Sequence, residues 1–342
     1  MTGLSDQPRP GLAGSRPQAR TDQVLASPAE PDFELVVVGA GRIGQVHMKA
    51  VASSTVVRVS AVVEPRGAVR DELARAGMRC FAELGDLITE LADAGSMQAD
   101  GVLIAAPTDR HAELVRQALA AGLPVLCEKP CGLSTAQTQA CAAAAAQAGL
   151  LLQVAYWRRY VPRLQRLRAR IASGEFGDIL AIHCSQWDQT PPPAEFRKTS
   201  GGIFVDMGVH EFDQVRWLTG QEVYGIEAVT ADPAVKASAD TDCGHAIARL
   251  SGGGTVVVSL GRWHPPGDIC RVYVYGTKGT AKCSILQHDD GAQVLEYALR
   301  AQLEGFARAV RTGRVSGATV QDAVTALALA TQASGRSGEK PG

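Results

Sequence analysis

Short apolar runs alternate with helical patterns along the chain from Phe33 to about residue 155. The run "FELVVVGAG" comes first, and "VVRVSAVVE", "ADGVLIAAP", "LPVLCEKP" and "LLQVAYW" follow it. Apolar, β-branched runs of this kind are typical of strands that are buried on both faces. Because helical stretches of about ten to fifteen residues separate them, they predict an α/β domain with a doubly wound, mostly parallel sheet.

The pattern changes to consecutive strands beyond about residue 156. A basic helical stretch, "RRYVPRLQRLRARIASG", precedes the strand "GDILAIHCSQWD" and a proline-rich loop, "QTPPPAEFRKTS". Several strand-like runs then follow one another, with the turn signals "SGGG" and "GTKG", and two helical stretches end the chain. This order predicts an α+β domain with an open mixed or antiparallel sheet. The last helices could pack on this domain or on the first one.

The predicted organisation therefore has four parts. Residues 1–32 form a disordered tail, 33–155 the doubly wound domain, 156–334 the α+β domain, and 335–342 a flexible tail. The first thirty residues are rich in proline, alanine, glycine and arginine, and they lack the apolar block of a secretory signal.

Composition narrows the class of protein. The net charge of −1 argues against a nucleic-acid-binding surface, which normally leaves a basic excess. No apolar run approaches the roughly 18 residues that span a bilayer. The eight cysteines form no C-x-x-C pair, so we interpret them as reduced thiols. We expect a cytoplasmic protein with a small-molecule substrate and with neither nucleic acid nor membrane as partner.

The first strand ends in a dinucleotide-binding fingerprint. In "VVVGAGRIGQVH", Gly39, Gly41 and Gly44 have the G-x-G-x-x-G spacing, which permits a tight turn, a close approach to a pyrophosphate and close helix–strand packing. Glu64 ends the next strand, where an acid accepts hydrogen bonds from the adenosine ribose and repels a 2′-phosphate. This predicts a Rossmann domain that binds NAD, with NADP disfavoured, although Arg66 nearby weakens that preference.

Other strand ends contribute to the same predicted cleft. Pro107 ends one strand with Thr108 and His111 after it, and Glu128 and Lys129 end another. In open α/β sheets, ligands bind at the carboxyl ends of the strands. A lysine there could stabilise a developing alkoxide, whereas His111 is equally well explained as a helix-start residue. The predicted cofactor-binding residues are Gly39, Gly41, Arg42, Ile43, Gly44, Glu64, Pro107, Thr108, His111, Glu128 and Lys129.

The stretch "GGIFVDMGVHEFD" carries an acid and an imidazole four residues apart. On a helix, Asp206 and His210 would share one face, about one turn apart. They could form a catalytic pair, a metal site or a helix start. A third histidine or cysteine at metal-ligand spacing is missing from the sequence nearby, so we expect no metal. Arg158 and Asp188, at strand ends, are candidates for binding substrate hydroxyls.

Five motifs in order, "GAGRIGQVH", "AAPTDRHAEL", "CEKP", "YWRRYVP" and "GGIFVDMGVHEFD", resemble the Gfo/Idh/MocA oxidoreductase family from Phe33 to about Ser334. The resemblance implies that Lys129, Asp206 and His210 form the catalytic group, and that Lys129, Arg158, Asp188, Asp206 and His210 bind substrate. It also implies a homodimer or homotetramer formed through the C-terminal sheet.

Within the family, "DQTPPPAEFRKTSGGIF" and "GDICRVYVYGTKGTA" resemble inositol 2-dehydrogenases most closely. The resemblance implies NAD-dependent oxidation of a secondary hydroxyl of a cyclic polyol, myo-inositol to 2-keto-myo-inositol (scyllo-inosose). The sequence departs from these enzymes at Gly208, where they have threonine, and at Val161, where they have aspartate. We expect both changes to touch the substrate side, which leaves another inositol isomer, an aminocyclitol or a sugar open. A non-catalytic NAD- or sugar-sensing regulator is the alternative class.

Overall fold

Two β-sheets organise the computed structural model, which describes residues 32–93, 98–231, 241–286 and 290–336. The predicted tails therefore lie outside the described residues, except at their inner ends. The strands in the described residues are β1 Phe33–Val38, β2 Val57–Val63, β3 Cys80–Phe81, β4 Gly101–Ile104, β5 Val125–Cys127, β6 Leu152–Val154, β7 Ile179–Trp187, β8 Val223–Thr230, β9 Cys243–Leu250, β10 Thr255–Gly261, β11 Ile269–Gly276, β12 Thr280–Leu286 and β13 Ala318–Thr319.

Helices cover the first sheet and the inner face of the second. They are α1 Arg42–Val51, α2 Gly67–Arg75, α3 Leu84–Ala92, α4 His111–Ala120, α5 Thr135–Ala148, α6 Pro162–Ala172, α7 Ala194–Thr199, α8 Val209–Thr219, α9 Gly291–Thr312 and α10 Val320–Arg336. The predicted proline-rich loop contains the short helix α7, so that prediction was incomplete. Short 3-10 turns occupy Thr108–Arg110 and Trp157–Tyr160.

The first sheet has the order β13-β6-β5-β4-β1-β2-β3. Its strands run parallel except β13, which pairs antiparallel with β6. The apolar runs of β1, β4 and β5 are buried on both faces because helices lie on each side of the sheet. This confirms the predicted doubly wound α/β domain.

The second sheet is mixed and open, with the order β12-β11-β7-β10-β9-β8. Strands β7 and β10 pair in parallel, and the other neighbours are antiparallel. Burial alternates along these strands, so that Cys184, Ala246 and Val258 point to the helical side while their sequence neighbours point outward. This confirms the predicted α+β half of the molecule.

The C-terminal segment returns to the first sheet. Helix α9 places Phe306 edge-on against Phe33 of β1, with ring centroids 5.9 Å apart. Strand β13 then adds Ala318 opposite Val154 at the end of the same sheet. Contacts of α9 and β13 therefore tie residues 291–319 to the first half. Helix α10 extends to Arg336, within the predicted 335–342 tail.

The cysteines and the hydropathy of the helices bear on two further expectations from the sequence. All eight cysteines are free thiols, and six of them are buried. Within the described ranges, no helix has both the length and the hydropathy that crossing a membrane requires.

The turn from β1 into α1 depends on Gly44, which packs directly against the backbone of Gly39. A Cβ added at Gly44 would lie 2.0 Å from the carbonyl oxygen of Gly39, well inside van der Waals contact. Helix α1 can approach the end of β1 this closely only because position 44 has no side chain.

We predict that Gly44→Ala destabilises the protein by about 1–3 kcal/mol, because the added methyl group pushes α1 away from β1. Chemical denaturation followed by circular dichroism measures the change. Gly85→Ala in α3 is the matched control, since a Cβ there would meet nothing within 4 Å. Equal stability of the two variants would contradict this account of the turn.

Candidate active site

The β1–α1 turn forms one wall of a cleft at the carboxyl ends of the parallel strands. Gly39 adopts a φ of +99°, in the left-handed region that favours glycine. In front of Gly41 the space is open, since an added Cβ would meet nothing within 4 Å. Gly41 caps α1 without a side-chain hydrogen bond, so the first N–H groups of the helix remain available to an anion. Together with Arg42 and Ile43 at the start of α1, these features fit a dinucleotide pyrophosphate.

Glu64 is held at the end of β2 by the backbone and by Arg66. Its Oε2 accepts a hydrogen bond from Ala40 N at 2.9 Å, and its Oε1 accepts one from Arg66 Nε at 2.7 Å. Burial by itself raises the pKa of Glu64, but these hydrogen bonds outweigh it and the pKa lies below its ordinary value. The carboxylate is therefore ionised and fixed beside the fingerprint, while the Arg66 side chain remains mostly exposed.

The ends of β4 and β5 carry the other predicted cofactor residues. The ring nitrogens of His111 lie 2.8 Å from the carbonyl oxygens of Pro130 and Ala106, so the buried imidazole bridges the two strand ends. Pro107 and Thr108 begin the 3-10 turn before it. Both ring nitrogens of His111 thus lie within hydrogen-bond distance of backbone carbonyl oxygens, which indicates a structural role for this residue.

Glu128 ends β5 and is likewise bound by protein. Its Oε1 lies 2.7 Å from His47 Nε2, and its Oε2 accepts a hydrogen bond from Lys129 N at 3.1 Å. Burial raises the pKa of Glu128, but His47 and Lys129 outweigh that effect and lower it. The acid thus fixes the backbone from which Lys129 projects.

Lys129 reaches across to the second half of the molecule. Its Nζ donates to the Asp206 carbonyl oxygen at 2.8 Å and to Asp206 Oδ1 at 3.0 Å. The other carboxylate oxygen, Oδ2, accepts a hydrogen bond from Nη1 of the fully buried Arg262 at 3.0 Å. Burial raises the pKa of Asp206, yet the two cations outweigh it and hold that pKa below its ordinary value. The carboxylate is ionised and shared between two cations.

The segment before α8 is a π-helical turn, Phe204–Gly208. The predicted regular helix is therefore replaced at Asp206 by a wider turn, since a π-helix closes its hydrogen bonds over five residues and an α-helix over four. Among the described residues, the Asp206 carboxylate bonds Lys129 and Arg262 and does not bond the imidazole. The Asp206 carboxylate therefore holds Lys129.

His210 is buried against aromatic rings, with the Tyr156 ring edge-on at a centroid distance of 5.8 Å. Burial lowers the pKa of His210 well below its ordinary value, and the charges of Lys129 and Arg158 lower it further. The imidazole is therefore neutral near pH 7, which is the form that accepts a proton. Within the described part of the chain, its Nδ1 has no hydrogen-bond partner.

His210 lines a cavity of about 80 Å³ at the end of the second sheet. Arg158 and Asp188, both predicted to bind substrate, line it too. The Arg158 guanidinium donates to Glu211 Oε1 at 2.7 Å and to Gln186 Oε1 at 2.6 Å, so its charge is already balanced. A larger cavity of about 420 Å³ lies far from these groups, beside β2 and β3, and contains none of the predicted residues.

The two departures from the inositol enzymes lie in the core, so the expectation that they touch the substrate side is wrong. A Cβ at Gly208 would face Phe204 at 3.3 Å and Leu260 at 3.4 Å, both buried apolar side chains. Val161 is fully buried and belongs to the main hydrophobic cluster. A substitution at either position would therefore change the packing of the core and not a direct contact with substrate.

Arg262 and Glu211 are site residues that sequence reasoning missed. Arg262 directly follows β10 in "SLGRW", the strand-end position that drew attention to Arg158. Glu211 directly follows His210 in the sequence and was not among the predicted site residues. Within the described ranges, no group of three histidine, cysteine or acidic residues is arranged to hold a metal ion, and the two cations on Asp206 would repel one.

Comparison with known proteins agrees with this geometry. Residues 33–156 match the family model of an oxidoreductase family with an NAD-binding Rossmann fold, and residues 164–282 match the GFO/IDH/MocA C-terminal domain. The chain is 45% identical over 303 residues to the rhizopine catabolism protein MocA of Rhizobium meliloti, covering 88% of this chain and 94% of that protein.

Two further relatives carry inositol in their names. The chain is 31% identical over 317 residues to an inositol 2-dehydrogenase of Rhizobium meliloti strain 1021, covering 87% of this chain and 94% of the relative. It superposes with a TM-score of 0.80 and 25% identity on a myo-inositol dehydrogenase from Corynebacterium glutamicum, covering 89% and 96% of the two chains. The chain belongs to the GFO/IDH/MocA family of NAD-binding oxidoreductases.

Proposed function

We propose that the protein oxidises a secondary hydroxyl of a cyclic polyol with NAD⁺, in the manner of inositol 2-dehydrogenases, with myo-inositol to 2-keto-myo-inositol as the first reaction to test. One observation carries the proposal. A neutral buried imidazole, His210, lines a polar cavity beside an ammonium group, Lys129, that is fixed by an ionised carboxylate, Asp206. A proton acceptor next to a fixed cation is what alcohol oxidation requires.

The chain's own residues divide the work of that reaction. His210 takes the hydroxyl proton as general base, and its lowered pKa keeps it unprotonated and ready at neutral pH. Lys129 stabilises the negative charge that grows on the oxygen as this proton leaves. Asp206 holds Lys129 at a fixed position, and Arg262 keeps Asp206 ionised from its other side. Bound NAD⁺ supplies the ring that accepts the hydride from the same carbon.

The identity of the ring substrate is supported by relatives. One relative is named an inositol 2-dehydrogenase, and another, more similar to this chain, is named for rhizopine catabolism. Another inositol isomer, an aminocyclitol or a sugar is therefore included as an alternative substrate.

NAD is the proposed cofactor in preference to NADP. The ionised Glu64 carboxylate, hydrogen-bonded to Ala40 N and Arg66, lies where an adenosine ribose is bound in this kind of domain. A 2′-phosphate there would meet a like charge, and Arg66 is already paired with Glu64.

A homodimer or homotetramer is proposed through the outward face of the second sheet. Several large apolar side chains are exposed on it, among them Ile247 at 59% and Val229 at 66%. Tyr273 and His183 lie opposite one another on the same face. An exposed apolar face of this extent is typical of a surface that a second copy covers.

We predict that His210→Asn lowers kcat by about 10²–10⁴-fold, because the general base is lost, while NADH still binds. Steady-state assays at 340 nm, with NADH binding followed by fluorescence, measure both. In the unchanged protein, kcat/KM should begin to fall only at a pH below the ordinary histidine pKa of about 6.5. The lowered pKa of His210 keeps its imidazole in the base form at more acidic pH. Near-normal turnover by the variant would rule out this role.

The cofactor preference predicts a charge effect at Glu64. The protein should use NAD⁺ better than NADP⁺, and Glu64→Gln should shift the ratio of the two kcat/KM values toward NADP⁺ by about tenfold or more, since the repelling charge is removed. Glu72→Gln, on the exposed side of α2, is the control and should leave the ratio unchanged. A ratio that does not move in Glu64→Gln would count against the assignment.

The proposed interface predicts that Ile247→Asp yields monomers, because a buried unpaired charge opposes association. Sedimentation velocity or light scattering gives the mass. Val315→Asp is the control, since Val315 is also exposed but lies between α9 and β13, away from the second sheet. A monomeric unchanged protein, or an Ile247→Asp variant of unchanged mass, would overturn the interface.

A further inference from the structure

His47 is a buried histidine in the motif "GAGRIGQVH" to which the proposed reaction gives no role. Its side chain is fully buried in α1, and its Nε2 lies 2.7 Å from Oε1 of Glu128. Among the described residues, Nδ1 of His47 has no hydrogen-bond partner. An ionised carboxylate can only accept hydrogen bonds, so Nε2 carries the proton and donates it to Glu128.

Glu128 depends on this hydrogen bond for its charge. The acid is 6% exposed, and a carboxylate buried without a partner tends to take up a proton. Burial raises the pKa of Glu128, but the hydrogen bond from His47 is the largest of the effects that oppose burial, and the pKa lies below its ordinary value. His47 therefore preserves a negative charge at the end of β5.

This carboxylate acts on Lys129 in two ways. Oε2 of Glu128 accepts a hydrogen bond from the backbone N–H of Lys129 at 3.1 Å, which fixes the start of the lysine. The charge of Lys129 also lowers the pKa of Glu128. An attraction between two charges is mutual, so the carboxylate in turn stabilises the ammonium of Lys129.

The chain is held on the other side of Lys129 as well. Nδ1 of His111 lies 2.8 Å from the carbonyl oxygen of Pro130, the residue after the lysine. The backbone of Lys129 is thus held from both sides, by His47 through Glu128 and by His111 at Pro130. The contact through Glu128 is the one that also places a negative charge beside the lysine.

We propose that His47 is a positioning residue for the reaction, which by donating to Glu128 holds Lys129 in the cleft and preserves the carboxylate that stabilises its ammonium. This inference rests on the proposed function, in which Lys129 stabilises the charge that grows on the substrate oxygen. His47 is fully buried and acts through Glu128. Helix α1 thus offers its first N–H groups to the cofactor and supports the lysine through His47.

Two variants of His47 separate this role from general support of the fold. In His47→Leu, kcat should fall by about 10–100-fold, because Lys129 is no longer held in place. The alkaline limb of kcat/KM should also move to lower pH by about one unit, because Glu128 takes up a proton and the ammonium loses a stabilising charge. His47→Gln keeps an N–H donor at the position of Nε2 and should restore most of both properties.

NADH formation at 340 nm measures these rates, with the best substrate among myo-inositol, scyllo-inositol and scyllo-inosamine, and NADH binding confirms that each variant is folded. Acetylation of the partly exposed Lys129 by acetic anhydride, followed by mass spectrometry across a range of pH, reports the loss of the ammonium without any substrate. In His47→Leu, this acetylation should begin at lower pH.

Glu128→Gln removes the charge directly and should shift the acetylation of Lys129 in the same direction, which keeps the test decisive if His47→Leu fails to fold. Glu113→Gln is the matched control, because Glu113 is an exposed acid on α4, and it should shift neither the acetylation nor the alkaline limb.

An unchanged kcat in His47→Leu would overturn the positioning role. So would a loss of rate that is equal at every pH, or acetylation of Lys129 that stays unshifted in His47→Leu or Glu128→Gln. NADH formation from none of the three rings, by an unchanged protein that binds NADH, would instead overturn the proposed function. The acetylation experiment would then still decide whether His47 and Glu128 support the ammonium of Lys129.

Discussion

The shared carboxylate of Asp206 is the interaction on which the site depends. An ionised carboxylate buried away from water is costly unless cations compensate it. Here Lys129 comes from the end of β5 and Arg262 from the end of β10, so one buried acid joins the two sheets. The contacts that join the two sheets at this point therefore also fix the position of the ammonium.

Lys129 influences the protonation states of both Asp206 and His210. Burial alone would favour a protonated Asp206 and a neutral His210. The charge of Lys129 reverses the first tendency and reinforces the second, so that the acid has a lowered pKa and the imidazole is neutral as well. One ammonium thus keeps a fixed anion and a free base close together, which is how a site performs proton transfer near pH 7.

The sequence was sufficient where local rules determine structure. The alternation of strands and helices predicted the first sheet, and the glycine spacing predicted the β1–α1 turn, because periodicity and backbone freedom are properties of neighbouring residues. The contact of Lys129 with Asp206 was anticipated only through family resemblance. Arg262 could not be predicted, since its role comes from an approach between strands far apart in the chain. The π turn was not predicted, because the spacing of Asp206 and His210 in the sequence is the same whether the segment forms an α-helix or a π-helix.

The path of the last helices has a consequence for how this protein can be divided. Phe306 of α9 packs on Phe33, and β13 completes the edge of the sheet beside β6. The cofactor half is therefore built from both ends of the chain, with the second sheet inserted between them. A fragment cut after residue 156 would expose the apolar surface that α9 covers, and a chimera that exchanges the halves needs two junctions.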